Sequence, residues 1–190
     1  INHKDYIGGR YSVLSEVGMV PAYFMGLKID HFRKNLLDFF KPKEKKELID
    51  SVIKLGEIYK SKKIASLILV SYAPELNEFL YWCQQLIAES LGKKGRGILP
   101  VVSSAPRDHH SLLQLYLDGP KDKLFYIFSL KISKKMKINK NIFGKNLKYA
   151  ENKEFSKVKE AQRKALIRVL KKKNIPYQEF VINKKNEETL

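Results

Sequence analysis

The stretch that most narrows the possible folds is residues 64–71, Ile64-Ala65-Ser66-Leu67-Ile68-Leu69-Val70-Ser71, which carries no charge and is apolar almost throughout. Eight residues are too few for a buried helix. A continuous apolar run suits an inner strand of a parallel sheet covered on both faces. Two similar runs follow at 98–102 and, rich in aromatics, at 124–130, and a last strand is expected over 175–182. Helical period fills the gaps. Over 74–91 the stripe is Leu76, Phe79, Leu80, Cys83, Leu86 and Ile87, with Pro74 as a first-turn residue and Gly92 as the stop. Over 151–173 it is Phe155, Val158, Ala161, Ala165, Leu166, Val169 and Leu170, closed by lysines that suit the helix dipole. Strand alternating with helix implies an α/β fold of three layers, a parallel sheet flanked by helices, in which ligands bind at the carboxyl ends of the strands.

The 190 residues are enough for one domain of ordinary size spanning 1–190, and 44% apolar content excludes a disordered chain. With a single cysteine, Cys83, no intrachain disulfide can form, so a reducing, cytoplasmic compartment is expected. No apolar run approaches the roughly 18 residues of a membrane span. The N-terminus has no signal-peptide pattern, and because it starts at Ile1 without an initiator methionine a fragment or processed chain is expected. The net charge of +17 raises a nucleic-acid partner. Only six of the 37 basic residues are arginine, however, and the lysines are dispersed, so a solvated basic surface is the better account. Residues 131–148, with seven lysines and no acid, are the strongest candidate for contact with an anionic polymer.

The N-terminal part reads as a strand end turning at Gly8-Gly9-Arg10, with Ser12 capping a mostly buried helix over 13–27 that is interrupted near Pro21. Helices from Asp30 to Phe40 and from Lys43 to Lys62 follow. Gln85 and Glu89, four apart, share one helical face. The glycine- and lysine-rich turn at 92–97 lacks phosphate-loop spacing and follows a helix instead of preceding one. Cys83 sits in an apolar stripe and reads as a core thiol. His109 and His110 are adjacent, point in different directions on a helix and make a poor metal pair, so no metal site is expected. Arg10 and His110 follow expected strand ends, and the helix of Gln85 and Glu89 could lean over the same edge. A cation, a carboxylate and an imidazole together suit proton abstraction next to a carbonyl.

Gly8-Gly9-Arg10-Tyr11-Ser12 with Ser15 and Gly18, Gln84-Gln85-Leu86-Ile87-Ala88-Glu89-Ser90 with Gly92-Lys93, and Pro106, Asp108, His110-Ser111, Gln114-Leu115-Tyr116 and Asp118-Gly119-Pro120 closely resemble phosphoglucose isomerase. The resemblance implies the second sugar isomerase (SIS-type, flavodoxin-like) subdomain of an enzyme that interconverts glucose 6-phosphate and fructose 6-phosphate in glycolysis and gluconeogenesis. It also implies a homodimer and neither metal nor organic cofactor. By the same resemblance Glu89 is the base that moves a proton through a cis-enediol intermediate, and Arg10 stabilises that intermediate's charge. Gly9 and Gln85 contact substrate, and His110 assists ring opening from the neighbouring subunit. Leu14 and Glu16 depart from the family pattern, and family members are at least twice as long. The first subdomain and the tail with the ring-opening lysine are expected to be missing, leaving this chain alone inactive. The competing expectations are a non-catalytic sugar-phosphate-binding module of the same fold and, behind it, a basic nucleic-acid-binding domain.

Overall fold

The computed structural model describes residues 2–131, 136–137 and 153–186, so most of the lysine-rich segment at 131–148 and the expected helix start at Glu151 lie outside the described residues. Two compact units are present: residues 63–184 form one and the flanking residues the other.

In the larger unit four strands, β1 (Ser66–Ser71), β2 (Leu99–Ser104), β3 (Lys123–Leu130) and β4 (Tyr177–Ile182), form one parallel sheet in the order β2-β1-β3-β4. The uncharged run becomes β1, which like β3 has a partner on each side. Ile68 pairs with Val101 in β2 and with Phe125 in β3. Helix α4 (Asn77–Leu91) connects β1 to β2, the short α5 (Arg107–Ser111) and α6 (Leu113–Asp118) lead to β3, and α7 (Phe155–Lys172) precedes β4.

Alternation sorts the side chains of β1. Ile68 and Val70 pack with Phe125 and Ile127 of β3, Tyr116 of α6, and Leu166 and Leu170 of α7, an apolar cluster in which each member is at most 6% exposed. Leu67 and Leu69 face the other way and are equally buried. Because parallel crossovers are right-handed, connections leaving β1 and β3 in opposite directions put α4 and α7 on opposite faces of the sheet. Pro74 opens a single 3-10 turn, Pro74–Leu76, that feeds α4, and the Gly92 amide closes the helix on the Ala88 carbonyl at 2.9 Å.

The smaller unit holds α1 (Glu16–Phe24), α2 (Ile29–Arg33) and α3 (Pro42–Lys60), with 3-10 turns at Gly9–Tyr11 and Leu36–Phe40. Several expectations change here. Among the described residues no strand precedes Gly8. The cap of α1 is Ser15, whose hydroxyl accepts from the Val17 amide, not Ser12. The helix continues through Pro21 to Phe24, because proline forfeits only its own amide bond and the following turns still close. Asp30 lies in the first turn of α2 and not at its cap. Only Met19 and Ala22 of α1 are buried, whereas Tyr23 and Phe24 are exposed, since the buried pair sits at i and i+3 on one face and the short α2 covers a single narrow face.

Candidate functional site

The turn that carries Gly9 and Arg10 is held by hydroxyls. Ser12 Oγ donates to the Gly9 carbonyl at 2.8 Å, Ser15 Oγ donates to the Ser12 carbonyl at 2.7 Å, and the Tyr11 amide closes on the Gly8 carbonyl at 2.9 Å. Ser12 and Ser15 are buried while Gly9 is exposed. Arg10 is half-buried, its guanidinium carbon 5.8 Å from the centre of the Tyr11 ring. Two glycines of this region behave differently. A Cβ on Gly18 would stand 2.0 Å from the Val13 carbonyl oxygen, so that helix turn demands glycine, whereas a Cβ on Gly9 would meet nothing within 4 Å.

In the larger unit, Gln84 and Gln85 divide their work. Gln84 Nε2 donates to the Pro100 carbonyl at 2.8 Å and ties α4 to β2. Gln85 faces solvent one position on and donates to Glu89 Oε1 at 2.8 Å, so the pair expected on one face is a real hydrogen-bonded pair. Both side chains are exposed. Cys83 is half-buried and burial pushes its thiol up to about 11, which keeps it protonated at neutral pH and fits a packing role.

His110 is exposed on α5, directly after the carboxyl end of β2. Asp108 fixes that helix. It is buried, and its Oδ2 accepts from the Ser104 amide at 2.7 Å while its Oδ1 accepts from Arg107 Nε at 2.9 Å. Burial works against the Asp108 charge, but the Arg107 guanidinium and the Ser104 amide outweigh it and hold the carboxyl below the usual range. His109 points inward, its Nε2 3.0 Å from the Tyr72 hydroxyl and its ring edge-on to the tyrosine at 5.5 Å. Burial lowers the pKa of His109 and raises that of Tyr72. Adjacent histidines thus have opposite surroundings, one packed and one in solvent.

The expected gathering of Glu89, Gln85 and His110 at one sheet edge does not occur within this unit. At the start of α4, Asn77 Nδ2 donates to Ser104 Oγ at 3.2 Å, at the carboxyl end of β2. Seven residues later Gln84 reaches Pro100, near the amino end of the same strand. The helix therefore runs antiparallel to β2, and Glu89, twelve residues beyond Asn77, is roughly 18 Å further along the axis at 1.5 Å per residue. His110 stays at the opposite edge, held through the bond of Asp108 to Ser104. Ser12, Ser15 and Asp108 belong to the motifs read from the sequence, although their supporting hydrogen bonds do not show there, and Tyr72, the partner of His109, lies outside those motifs. Among the described residues no group of three or more His, Cys, Asp or Glu is placed to hold a metal ion, and no helix is long and apolar enough to cross a membrane.

No family model matches the chain. A solved structure of a hypothetical protein from Thermus thermophilus superposes with a TM-score of 0.82 at 23% identity, covering 97% of this chain and 46% of that one, which establishes the fold. Among curated proteins, the glucose-6-phosphate isomerase of Methanocaldococcus jannaschii is 30% identical over 188 residues, 96% of this chain and 46% of that protein. That of Campylobacter jejuni is 36% identical over 156 residues, 77% of this chain and 37% of that protein. The probable glucose-6-phosphate isomerase of Methanococcus maripaludis is 32% identical over 200 residues, 98% of this chain and 43% of that protein. The chain spans less than half the length of these curated relatives, and with 30–36% identity over 77–98% of its own length it is a homologue of one part of glucose-6-phosphate isomerase.

Proposed function

We propose that this chain carries the proton-transfer half of a glucose-6-phosphate isomerase site, with Glu89 as the base. The observation that carries the reading is the exposed Gln85–Glu89 pair on α4 in a chain that matches the isomerases over 96% of its length. Glu89 takes the proton from the second carbon of the open-chain sugar phosphate and returns it to the first, passing through a cis-enediol. The carboxylate stays within reach of both carbons, while Gln85 holds it and contacts a sugar hydroxyl. Arg10 stabilises the enediolate charge. Gly9 offers its backbone to the substrate, which fits an exposed glycine whose added Cβ would meet nothing within 4 Å among the described residues. His110 assists ring opening in the site of a neighbouring copy. Its placement at the sheet edge opposite Glu89 supports this division between subunits, because one copy of this unit cannot bring the two side chains to one sugar. The reaction needs no metal or organic cofactor, the chain acts as one 1–190 part of the sugar isomerase type, and the setting is the cytoplasm. Alone it does not turn over substrate, since nothing here is assigned to grip the phosphate for this reaction.

The test replaces the matching segment of the Methanocaldococcus jannaschii relative with this chain and assays both directions of isomerisation. Turnover is expected in the chimaera and not in the 190-residue chain. Glu89→Gln in the chimaera should lower kcat by at least about a thousandfold with KM changed less than about threefold, the pattern of a group that acts only in the transition state. Retained turnover would remove Glu89 from the mechanism.

A further inference from the structure

A cleft of about 320 Å³ opens at the carboxyl edge of the sheet, lined by Tyr72, Ser129, Lys131, Ser156, Lys159 and Arg163 among others. It sits where topology places ligand sites in sheets of this kind. From β1 the chain crosses to β2 on one side, and β3 and β4 lie on the other, so the strand order reverses between β1 and β3, the two strands whose ends supply Tyr72 and Ser129. None of the residues assigned above to isomerisation lines it. Its size falls at the small end of the range for small-molecule pockets.

The lining is chemically uneven. Leu130, Val181 and the ring of Tyr72 form apolar wall, and hydroxyls come from Ser129 and Ser156. Ser129 is 9% exposed, a buried polar side chain on a strand end. Four cations, Lys131, Lys157, Lys159 and Arg163, face one lining carboxylate, Glu160. Arg163 is committed elsewhere: its Nε donates to Glu160 Oε2 at 2.9 Å, its second nitrogen to Glu160 Oε1 at 2.6 Å, and it also pairs with Glu179. That pairing ties α7 to β4 through the buried Arg163, and because Lys157 Nζ lies 3.8 Å from Glu154 Oε1, Lys131 and Lys159 are the excess charge. Ser156, Lys159, Glu160 and Arg163 follow the spacing of one helical face, so α7 presents this set to the cleft as a unit.

We infer that this cleft binds a small organic phosphate monoester, the phosphate held by Lys131 and Lys159 with the hydroxyls of Ser129 and Ser156, and the organic body laid against Leu130, Val181 and the Tyr72 ring. A dianion suits the lysine excess better than a single carboxylate, and tetrahedral oxygens suit donors that arrive from a strand end and a helix face. Without an organic body the apolar wall would stay wet.

The probe is phenyl phosphate, titrated into the 190-residue chain labelled with nitrogen-15, with phenylacetate and inorganic phosphate as comparison ligands. Saturable amide shifts confined to residues 129–131 and 156–163 are expected, with phenyl phosphate binding roughly tenfold tighter than either comparison ligand. The pair Lys131→Glu with Lys159→Glu should weaken it by at least about tenfold, whereas Lys93→Glu with Lys94→Glu, in the turn before β2, should leave it unchanged. Shifts spread over the lysine-rich surface, equal loss in the control pair, equal binding of phenylacetate, or no saturable shifts at all would each overturn the assignment. The unsubstituted chain already decides between localised and spread binding, so a misfolded variant does not rescue the proposal. The readout is binding to this chain, so its failure is distinguishable from failure of the isomerase reading.

Discussion

At the scale of single residues, the supporting side chains are as telling as the reactive ones. Asp108 is 8% exposed, and its two oxygens are spoken for by Ser104 and Arg107. Asp108→Asn removes the charge from that arrangement and should cost about 2 kcal/mol in urea unfolding, the range for a buried hydrogen bond to a charged group. The pH dependence has a definite sign. The folded-state pKa lies below that of the unfolded chain, so the stabilisation is fully present above the unfolded value and is lost as pH falls through the folded one. Thermal melts should show a constant gap between the unsubstituted chain and Asp108→Asn above the ordinary carboxylate range, closing as pH falls through the lowered folded-state value. His109 works in the same direction at higher pH. Burial lowers its folded pKa, so the unfolded chain binds the extra proton first, and stability declines as pH drops below about 6.5. His109→Gln should flatten that decline, measured by the same melts.

At the scale of elements, the turn and helix that carry Arg10 depend on a close backbone approach. A Cβ on Gly18 would overlap the Val13 carbonyl, and backbone cannot move aside as a flexible side chain can. Gly18→Ala should therefore destabilise the smaller unit by about 2 kcal/mol or more, read by denaturant melts or by faster amide exchange through residues 9–24. A gain in stability from the better helix former would show that the approach is not as tight as described. The legibility of elements follows the same physics. The four strands, at 66–71, 99–104, 123–130 and 177–182, and the helices at 77–91 and 155–172 are readable because burial imposes a period on each of them. The N-terminal helix is less so, because a run of Val, Tyr, Phe and Met implies burial only if another element covers it, and cover is not a local property. Ser12 against Ser15 as the cap is also beyond local reading: both precede apolar residues, and the 3-10 turn at Gly9–Tyr11 uses Ser12 to bind backwards to Gly9.

At the scale of the whole molecule, the opposed positions of Glu89 and His110 lead to a complementation experiment. In the chimaera, Glu89→Gln and His110→Ala should each abolish most activity alone. Mixed and reassembled at equal amounts, they should recover roughly a quarter of the original activity, because half of randomly paired dimers are hybrid and each hybrid holds one intact site. No recovery on mixing, with dimers present, would show that each site draws both residues from one copy.

The amino-acid pattern alone determined that residues 64–71 form an inner parallel strand, that the helix over 74–91 buries one stripe, and that Gln85 and Glu89 share its outer face. These are consequences of side-chain period, which is written locally. Only the tertiary structure decided that this helix returns antiparallel along β2, with Asn77 at Ser104 and Gln84 at Pro100, and so carries Glu89 away from His110. It also decided that the ends of β1, β3 and β4 and one face of α7 enclose a cleft. Period fixes which face a residue occupies. Which edge of a sheet it reaches depends on chain direction and strand order, and those are set by contacts between residues far apart in sequence.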